Sequence, residues 1–204
     1  MPITKDQVAT RLQPLPEAIY ACDIPLTSIE RNLDLFGADY GIDLAPDFQR
    51  GHVWSRAQQE AYVTALLRGA LTKGLTTIQW NSPAFGHHFD ADVAGLHPRQ
   101  LVIVDGLQRL TAVRAFVAGV ITVVDGLTCD DLRASGYLDF GHQLRFVVLA
   151  LRTRADLLKY YLDLNTGGTV HSAAEIARVQ SLLAQETATP QKPSSRPTHI
   201  GGPA

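Results

Sequence analysis

Residues 100–117, QLVIVDGLQRLTAVRAFV, join a short apolar run to an amphipathic segment through an Asp-Gly pair. The run at 101–104 is apolar, mostly β-branched and followed by turn residues, which predicts a strand buried on both faces. The next segment repeats its apolar residues at helical spacing and stops at Gly119, which predicts a helix. A strand that passes through one glycine into a helix is therefore expected here.

The junction between this strand and helix is the first candidate site. Asp105 is a favourable N-cap, and Gln108 three residues later completes a capping box, so we expect Asp105 to cap the helix. Backbone N–H groups, Gly106 and the side chains of Gln108 and Arg109 would then meet beyond the strand, as in sites that bind phosphate. The alternative is that Arg109 is an ordinary solvated arginine in a first helical turn.

Composition narrows the classes of function. The chain of 204 residues is long enough for one domain with a substantial core. It shows neither a membrane-spanning run nor the apolar core of a signal peptide, which predicts a cytoplasmic protein with no membrane partner. A net charge of −2 argues against a broad nucleic-acid-coating surface but allows a local basic cleft. Cys22 and Cys129 lack metal-type spacing and are expected to be reduced and structural.

The chain divides into a lead-in at 1–21, an α/β domain at 22–152, a helical extension at 153–185 and a disordered tail at 186–204. Capping boxes are expected at 27–30, for a helix that stops near Gly37, and at Ser55 with Gln58. Further strands are predicted at 22–26, 42–44, 76–80, 120–124 and 144–151, and further helices at 128–131, 154–162 and after Ser172.

An irregular loop precedes the helix that Ser55 opens. It contains Gln49, Arg50, His52 and Trp54, and loops at helix N-termini often carry function. The alternative interpretation is that Phe48 and Trp54 fill the core while Arg50 is a surface charge.

A polar stretch at 81–99 contains several potential metal ligands. Their spacing matches no closed ligand set, so we expect no metal site there. The residues are His87, His88, Asp90, Asp92 and His97.

Three separated segments together resemble one family. DFQRGHVWSRAQQ is similar to FQR-x-x-VW-x-x-x-QQ, VDGLQRLTAVRAF to the DGQQR-LT signature, and LDLNTGGTVHSAAEI to iN-x-GG-x-LS-x-x-E. These motifs occur in this order in ParB/sulfiredoxin-like domains, including the N-terminal domain of GmrSD-type modification-dependent restriction enzymes and related phage-defence nucleases. The resemblance covers most of residues 47–179. It implies an α/β (α+β) fold with a small mixed sheet, flanking helices and a short helical C-terminal extension.

The resemblance also implies a nucleoside triphosphate site. In the family the signature lies at the nucleotide and is needed for hydrolysis, the upstream Gln-Arg pair approaches the phosphates, and the third element has no role that we assign. Asp105 could instead hold Mg²⁺, although one carboxylate oxygen cannot easily do this and cap a helix. The matching residues are Asp105, Gly106, Gln108 and Arg109 in the signature, Gln49 and Arg50 in the loop, and Asn165, Gly167 and Gly168 in the third element.

One departure from the family keeps alternatives open. Leu107 replaces the first glutamine of the signature, which puts hydrolysis in question, and the sequence contains no H-N-H nuclease pattern. The expected activity is nucleotide binding, with or without hydrolysis, in phage-host defence or DNA metabolism, with a nuclease subunit or a second copy as partner. One alternative is a non-catalytic regulator of full-length restriction proteins. Another is a DNA-binding or nuclease module whose groove is lined by Arg50, His52, Arg56, Arg109 and Arg114.

Overall fold

The computed structural model describes residues 3–51, 53–86, 95–138, 141–165 and 173–188. These ranges contain helices on both sides of a single five-stranded sheet, so the predicted mixed α/β class is confirmed. No helix within them is both long and apolar enough to cross a membrane. The strands are β1 (Tyr20–Pro25), β2 (Ile42–Asp43), β3 (Thr77–Asn81), β4 (Leu101–Asp105) and β5 (Gln143–Leu149). The helices are α1 (Lys5–Leu12), α2 (Ile29–Tyr40), α3 (Arg56–Leu67), α4 (Lys73–Thr76), α5 (Leu107–Val117), α6 (Cys129–Ala134), α7 (Arg154–Asn165) and α8 (Ala173–Ala188).

The sheet is mixed and has the strand order β1-β5-β3-β4-β2. β1 pairs antiparallel with β5, and β3 pairs antiparallel with β4. The pairs β3–β5 and β2–β4 are parallel. β1 is an edge strand, as predicted from Pro25, which has no N–H to donate to a neighbour.

β4 is buried on both faces, as its sequence predicts. Leu101 and Ile103 belong to the core that the sheet forms with α2, α3 and α5. Val102 and Val104 belong to a second core, on the other face, formed with α7 and α8. Side chains alternate between the two faces of a strand, and each face of β4 carries apolar residues because each is covered by helices.

The second core attaches the predicted helical extension to the sheet. Leu157 and Leu158 of α7 are fully buried in it, and Phe48 packs there with 1% of its surface exposed. In α8 the buried residue is Val179, at 1% exposure. α7 and α8 therefore cover the sheet beside the loop that contains Gln49 and Arg50.

Two predicted helix boundaries are wrong. α2 runs through Gly37 to Tyr40 and ends at Gly41, whose φ of 76° supplies the turn. A glycine within a helix weakens it without stopping it, so Gly37 is a poor stop signal. The capping box at 27–30 is not formed: α2 follows a 3₁₀ turn, and Ser28, its N-cap, makes no side-chain cap bond.

The predicted strand at 120–124 and the predicted start of the tail are also wrong. The segment 120–124 leads into a 3₁₀ turn, Val124–Gly126, closed by a bridge between Val123 and Leu127. Val120 is 61% exposed, while Ile121 and Val123 are buried, and no strand of the described residues pairs with this run beyond that bridge. Residues 186–188 belong to α8, while 189–204 lie outside the described residues.

Candidate functional site

The junction of β4 and α5 turns sharply at Gly106. Its φ is 96°, and a Cβ there would lie 2.7 Å from Ile78 Cδ1 and 3.2 Å from Thr77 O. The register of β3 against β4 shifts here, with Gln79 opposite Asp105 and Trp80 opposite Ile103. The shift is a β-bulge, a feature that re-aims side chains at the end of a strand. Glycine is required because a side chain would meet both a strained conformation and β3.

The predicted capping box of α5 is wrong. Gly106 is the N-cap and has no side chain, whereas Asp105 is the last residue of β4. The Asp105 carboxylate accepts a hydrogen bond from Arg109 Nη2, one helical turn later. Because the left-handed Gly106 separates Asp105 from the helix, the Asp105 carboxylate pairs with the Arg109 side chain instead of capping the helix.

Arg109 is largely buried, which excludes the alternative interpretation of an ordinary solvated arginine. Its side chain is 12% exposed, against 40% for Asp105. Besides its bond to Asp105, Arg109 donates from Nη1 to the carbonyl of Gly74 at 3.0 Å. The guanidinium therefore ties the end of β4 to the segment that leads into β3, while Asp105 keeps the more accessible position.

Gln108 holds the loop at 49–54 against α5. Its Oε1 accepts from the backbone N–H groups of Val53 at 2.9 Å and Trp54 at 3.1 Å, and its Nε2 donates to Gly51 O at 3.1 Å. Gln49 fixes the other end of the loop by donating to Ile103 O at 2.8 Å. The amide of Gln108 is thus a positioning group, a role that its place in the motif does not reveal.

A pocket of about 280 Å³ opens beyond the end of β4. The loop, the β4–α5 junction and the end of α7, which are far apart in sequence, all line it, together with Tyr62 of α3 and Leu75 of α4. Gly167, Gly168 and His52 lie outside the described residues. The predicted site residues that line the pocket are Gln49, Arg50, Asp105, Gly106, Gln108, Arg109 and Asn165.

The pocket also has an apolar and aromatic wall, formed by Trp54 of the predicted loop and by tyrosines that the sequence analysis did not place in the site. Trp54 packs on Tyr62 with ring centroids 5.3 Å apart, and the Tyr62 hydroxyl donates to Leu75 O at 2.9 Å. Leu107 also lines the wall and packs on the core. Tyr161 of α7 lines the pocket as well. Helical spacing marks Tyr62 and Tyr161 as inward-facing, but only the tertiary fold shows that both reach one pocket.

Burial raises the pKa of the tyrosines in this wall. Desolvation raises the pKa of Tyr62 well above its usual value, and burial also raises the pKa of Tyr161. The side-chain amide of Asn165, the last residue of α7, donates to Tyr161 O at 2.6 Å. At neutral pH both phenols are uncharged and can contribute hydroxyl hydrogen bonds and apolar ring surface.

The arginine at the mouth of the pocket has an acidic neighbour. Arg50 Nη1 lies 3.5 Å from Glu175 Oε2 of α8, and the two side chains are 28% and 22% exposed. Arg178 of α8 donates to the backbone carbonyls of Asp47 and Phe48, the latter at 3.0 Å. α8 is thus attached to the base of the loop through backbone contacts as well as through charge.

The arginines predicted to line a nucleic-acid groove lie against carboxylates where the structure describes them. Arg114 forms a two-point pair with Glu30 at 2.7 and 2.9 Å, and Arg56 contacts Glu60 at 2.8 Å. Arg50 and Arg109 pair with Glu175 and Asp105, and His52 lies outside the described residues. Such neutralised arginines do not make a basic stripe of the kind that binds a phosphate backbone.

Of the candidate metal ligands in the polar stretch at 81–99, only His97 lies within the described residues. Within the described ranges, no group of three or more His, Cys, Asp or Glu side chains is placed to hold an ion. His97 Nδ1 accepts a hydrogen bond from the Gln100 N–H at 3.3 Å, and 87–94 lie outside the described residues. Cys22 and Cys129 are free thiols, and burial raises the pKa of both.

The fold and the pocket together define a mixed α/β domain with a polar site at the end of a central strand. Comparison with known proteins adds no relative: no family model, no curated protein and no solved structure matches the chain.

Proposed function

We propose that this chain is a nucleotide-binding domain of ParB/sulfiredoxin-like type, with a nucleoside triphosphate as its ligand. The observation that carries the proposal is the meeting of the three motif segments around one pocket. Gln49 and Arg50, the Asp105–Arg109 junction and Asn165 are distant in sequence, and all of them line it. Ligand sites of α/β sheets commonly lie beyond the carboxyl ends of strands, as this pocket does.

The chemistry of the pocket suits a ligand with an anionic part and an apolar part. The first N–H groups of α5 lack partners within the helix, and Arg50 adds a partly exposed guanidinium. Trp54 and Tyr161 supply ring surface for a base. The volume of about 280 Å³ lies just below the usual range of about 300–1,000 Å³ for ligand sites. Part of a triphosphate would therefore extend beyond the rim.

We expect the pocket to bind a nucleoside triphosphate but to hydrolyse it slowly or not at all. Gln108 uses its amide on the loop, and Arg109 uses its guanidinium on Asp105 and Gly74. Leu107 places an apolar side chain in the wall where the family signature has a glutamine. Asp105 remains accessible enough to orient a water molecule or to meet a Mg²⁺ ion brought by the nucleotide.

The engagement of Gln108 and Arg109 within the protein, together with Leu107, favours a second candidate function. In this function the chain is a non-catalytic regulator that binds nucleotide without turnover. Its setting would be phage-host defence or DNA metabolism, where a nuclease subunit or another copy of the chain would be its partner. That setting rests on the motif resemblance alone. A DNA-binding role is not proposed, because Arg56, Arg109 and Arg114 of the predicted groove each pair with a carboxylate, which leaves no basic stripe among the described residues.

The test is a titration of the protein with each of the four ribonucleoside triphosphates, with and without Mg²⁺. Calorimetry measures binding, and phosphate release measures hydrolysis. Arg50→Gln should weaken binding about tenfold or more, because a charge-assisted contact to phosphate is lost. Arg145→Gln is the matched control, since Arg145 pairs with Asp23 at 3.2 Å on the β1–β5 edge of the sheet.

Each outcome discriminates between the functions. Turnover by the wild type would identify a hydrolase, and binding without turnover would support the regulator. No binding of any triphosphate, or an equal loss in Arg50→Gln and Arg145→Gln, would refute a nucleotide site at this pocket.

A further inference from the structure

Glu175 places a negative charge next to Arg50, one of the arginines that line the pocket. It lies on α8, outside the segments that line the pocket, yet its carboxylate reaches Arg50 at 3.5 Å. Both side chains are largely shielded from solvent, with 22% and 28% exposure, so salt screens this pair less than an exposed one. Without a ligand, the charge of Arg50 is therefore already compensated from within the chain.

The contact between Glu175 and Arg50 is longer than the two ion pairs that Arg154 makes, one of them with another residue of α8. Arg154 contacts Asp47 at 2.6 Å and Glu186 at 2.9 Å, both within charge-assisted hydrogen-bond range. At 3.5 Å the Arg50 pair is looser. A guanidinium with a loosely held carboxylate can exchange it for a phosphate group, two of whose oxygens can accept from the guanidinium fork.

Such an exchange does not require α8 to leave the domain. Val179 anchors α8 in the second core with 1% exposure. Arg178 adds bonds to the carbonyls of Asp47 and Phe48. Glu175 lies one turn before these anchors, so the attachment of the helix does not depend on its contact with Arg50.

We propose that Glu175 is an internal competitor for the anionic group of the ligand: its carboxylate occupies the place at Arg50 that a phosphate of the ligand takes. The inference rests on the proposed function for the identity of the ligand, and on the Arg50–Glu175 geometry for the competition itself. It makes Glu175 a specificity-determining residue. Only an anionic ligand competes with it for Arg50, and a neutral nucleoside does not.

The experiment compares wild type with Glu175→Gln, Glu175→Asp and the control Glu186→Gln by calorimetry. The probes are tripolyphosphate, the four ribonucleoside triphosphates and the four neutral ribonucleosides, and thermal melting confirms that each variant is folded. Glu186 is a matched control because it is also on α8 and pairs with a different arginine, Arg154. Glu175→Asp keeps the charge but withdraws it from Arg50 by one methylene.

Glu175→Gln and Glu175→Asp should each bind tripolyphosphate about three- to fivefold more tightly than wild type, the gain expected when a competing ion pair is removed. Glu186→Gln should match wild type, and the nucleosides should gain nothing in any variant. Four results would overturn the inference: equal tripolyphosphate affinities in Glu175→Gln and wild type, no tripolyphosphate binding by either, wild-type behaviour of Glu175→Asp, or an equal gain with nucleosides.

Failure of the proposed function would look different. In that case tripolyphosphate would bind and respond to the Glu175 substitutions, while no nucleoside triphosphate bound more tightly than tripolyphosphate itself. The competition at Arg50 would then stand for a polyphosphate ligand, and the nucleotide assignment would fall.

Discussion

Gly106 is the residue where the backbone beside the pocket leaves no room for a side chain. We predict that Gly106→Ala destabilises the protein by about 2–4 kcal/mol, because alanine adds strain at positive φ to overpacking against β3. The φ of 96° disfavours any L residue, and the added Cβ would lie 3.1 Å from Ile78 Cα, a backbone atom. Urea unfolding of the variant and of wild type measures the difference.

Gly37→Ala is the control for this substitution. Gly37 lies within α2 and has no positive φ, and a methyl group added there would have no neighbour within 4 Å. Alanine at this position should stabilise the protein by about 0.5–1 kcal/mol, since it is the better helix former. If Gly106→Ala proved as harmless as Gly37→Ala, the passage between β4 and α5 would not be tight.

At the scale of elements, the conformation of the loop at 49–54 depends on hydrogen bonds from side chains of other segments. Side chains from other segments hold its backbone, with Gln108 contacting Gly51, Val53 and Trp54. Regular structure would supply such bonds internally, so an irregular loop relies on donors and acceptors from its neighbours. The position of Trp54 in the pocket wall consequently depends on a helix more than 50 residues later in the chain.

We predict that Gln108→Ala loosens this loop and costs about 1–3 kcal/mol in the free energy of unfolding, because three hydrogen bonds are lost at once. Hydrogen exchange should show faster exchange of the Val53 and Trp54 amides, while the amides of β4 keep their protection. Gln180→Ala, an exposed change on α8, should leave both sets as in wild type. Unchanged exchange at Val53 and Trp54 in Gln108→Ala would contradict the positioning role.

At the scale of the whole molecule, the elements that depend on residues close together in sequence could be predicted, and those that depend on distant residues could not. The strand Leu101–Asp105 and the capped start of α3 were predicted because local sequence decides them: a short apolar run, and Ser55 with Gln58 three residues later. The cap at Asp105 failed although its spacing was right, because Gly106 adopts a left-handed conformation that the spacing does not reveal. The strand predicted at 120–124 failed because pairing depends on a neighbour, which a local pattern cannot supply.

The site was predictable only in part for the same reason. Arg50, Asp105 and Asn165 were selected through motif resemblance, and their meeting at one pocket depends on how β4, the loop and α7 pack. The partner of Arg50 was not predicted, because Glu175 reaches it from α8 across 125 positions of sequence. Contacts between residues so far apart in sequence depend on the tertiary fold and cannot be predicted from composition or periodicity.

Because tyrosines are buried on both faces of the sheet, we expect the stability of the domain to depend on pH in the alkaline range. Burial raises the pKa of Tyr62 on one side of the sheet and of Tyr160 and Tyr161 on the other above the usual value of 10.0. Each folded-state pKa exceeds its unfolded value, so the stabilising contribution is complete below pH 10 and is lost as pH rises above it. Each neutral buried phenol should steepen the fall by up to about 1.4 kcal/mol per pH unit.

We therefore predict that the free energy of unfolding is nearly level between pH 7 and 8.5 and falls steeply above pH 10, and that Tyr62→Phe falls less steeply than wild type. Phenylalanine cannot ionise, and at neutral pH it should cost only about 1 kcal/mol, for the hydroxyl bond to Leu75 O. Urea unfolding at pH 8, 10 and 11 measures both slopes. Both proteins retain Cys22 and Cys129, so thiol ionisation cancels in the comparison. Equal slopes would mean that Tyr62 ionises freely and that the wall of the pocket is open to water.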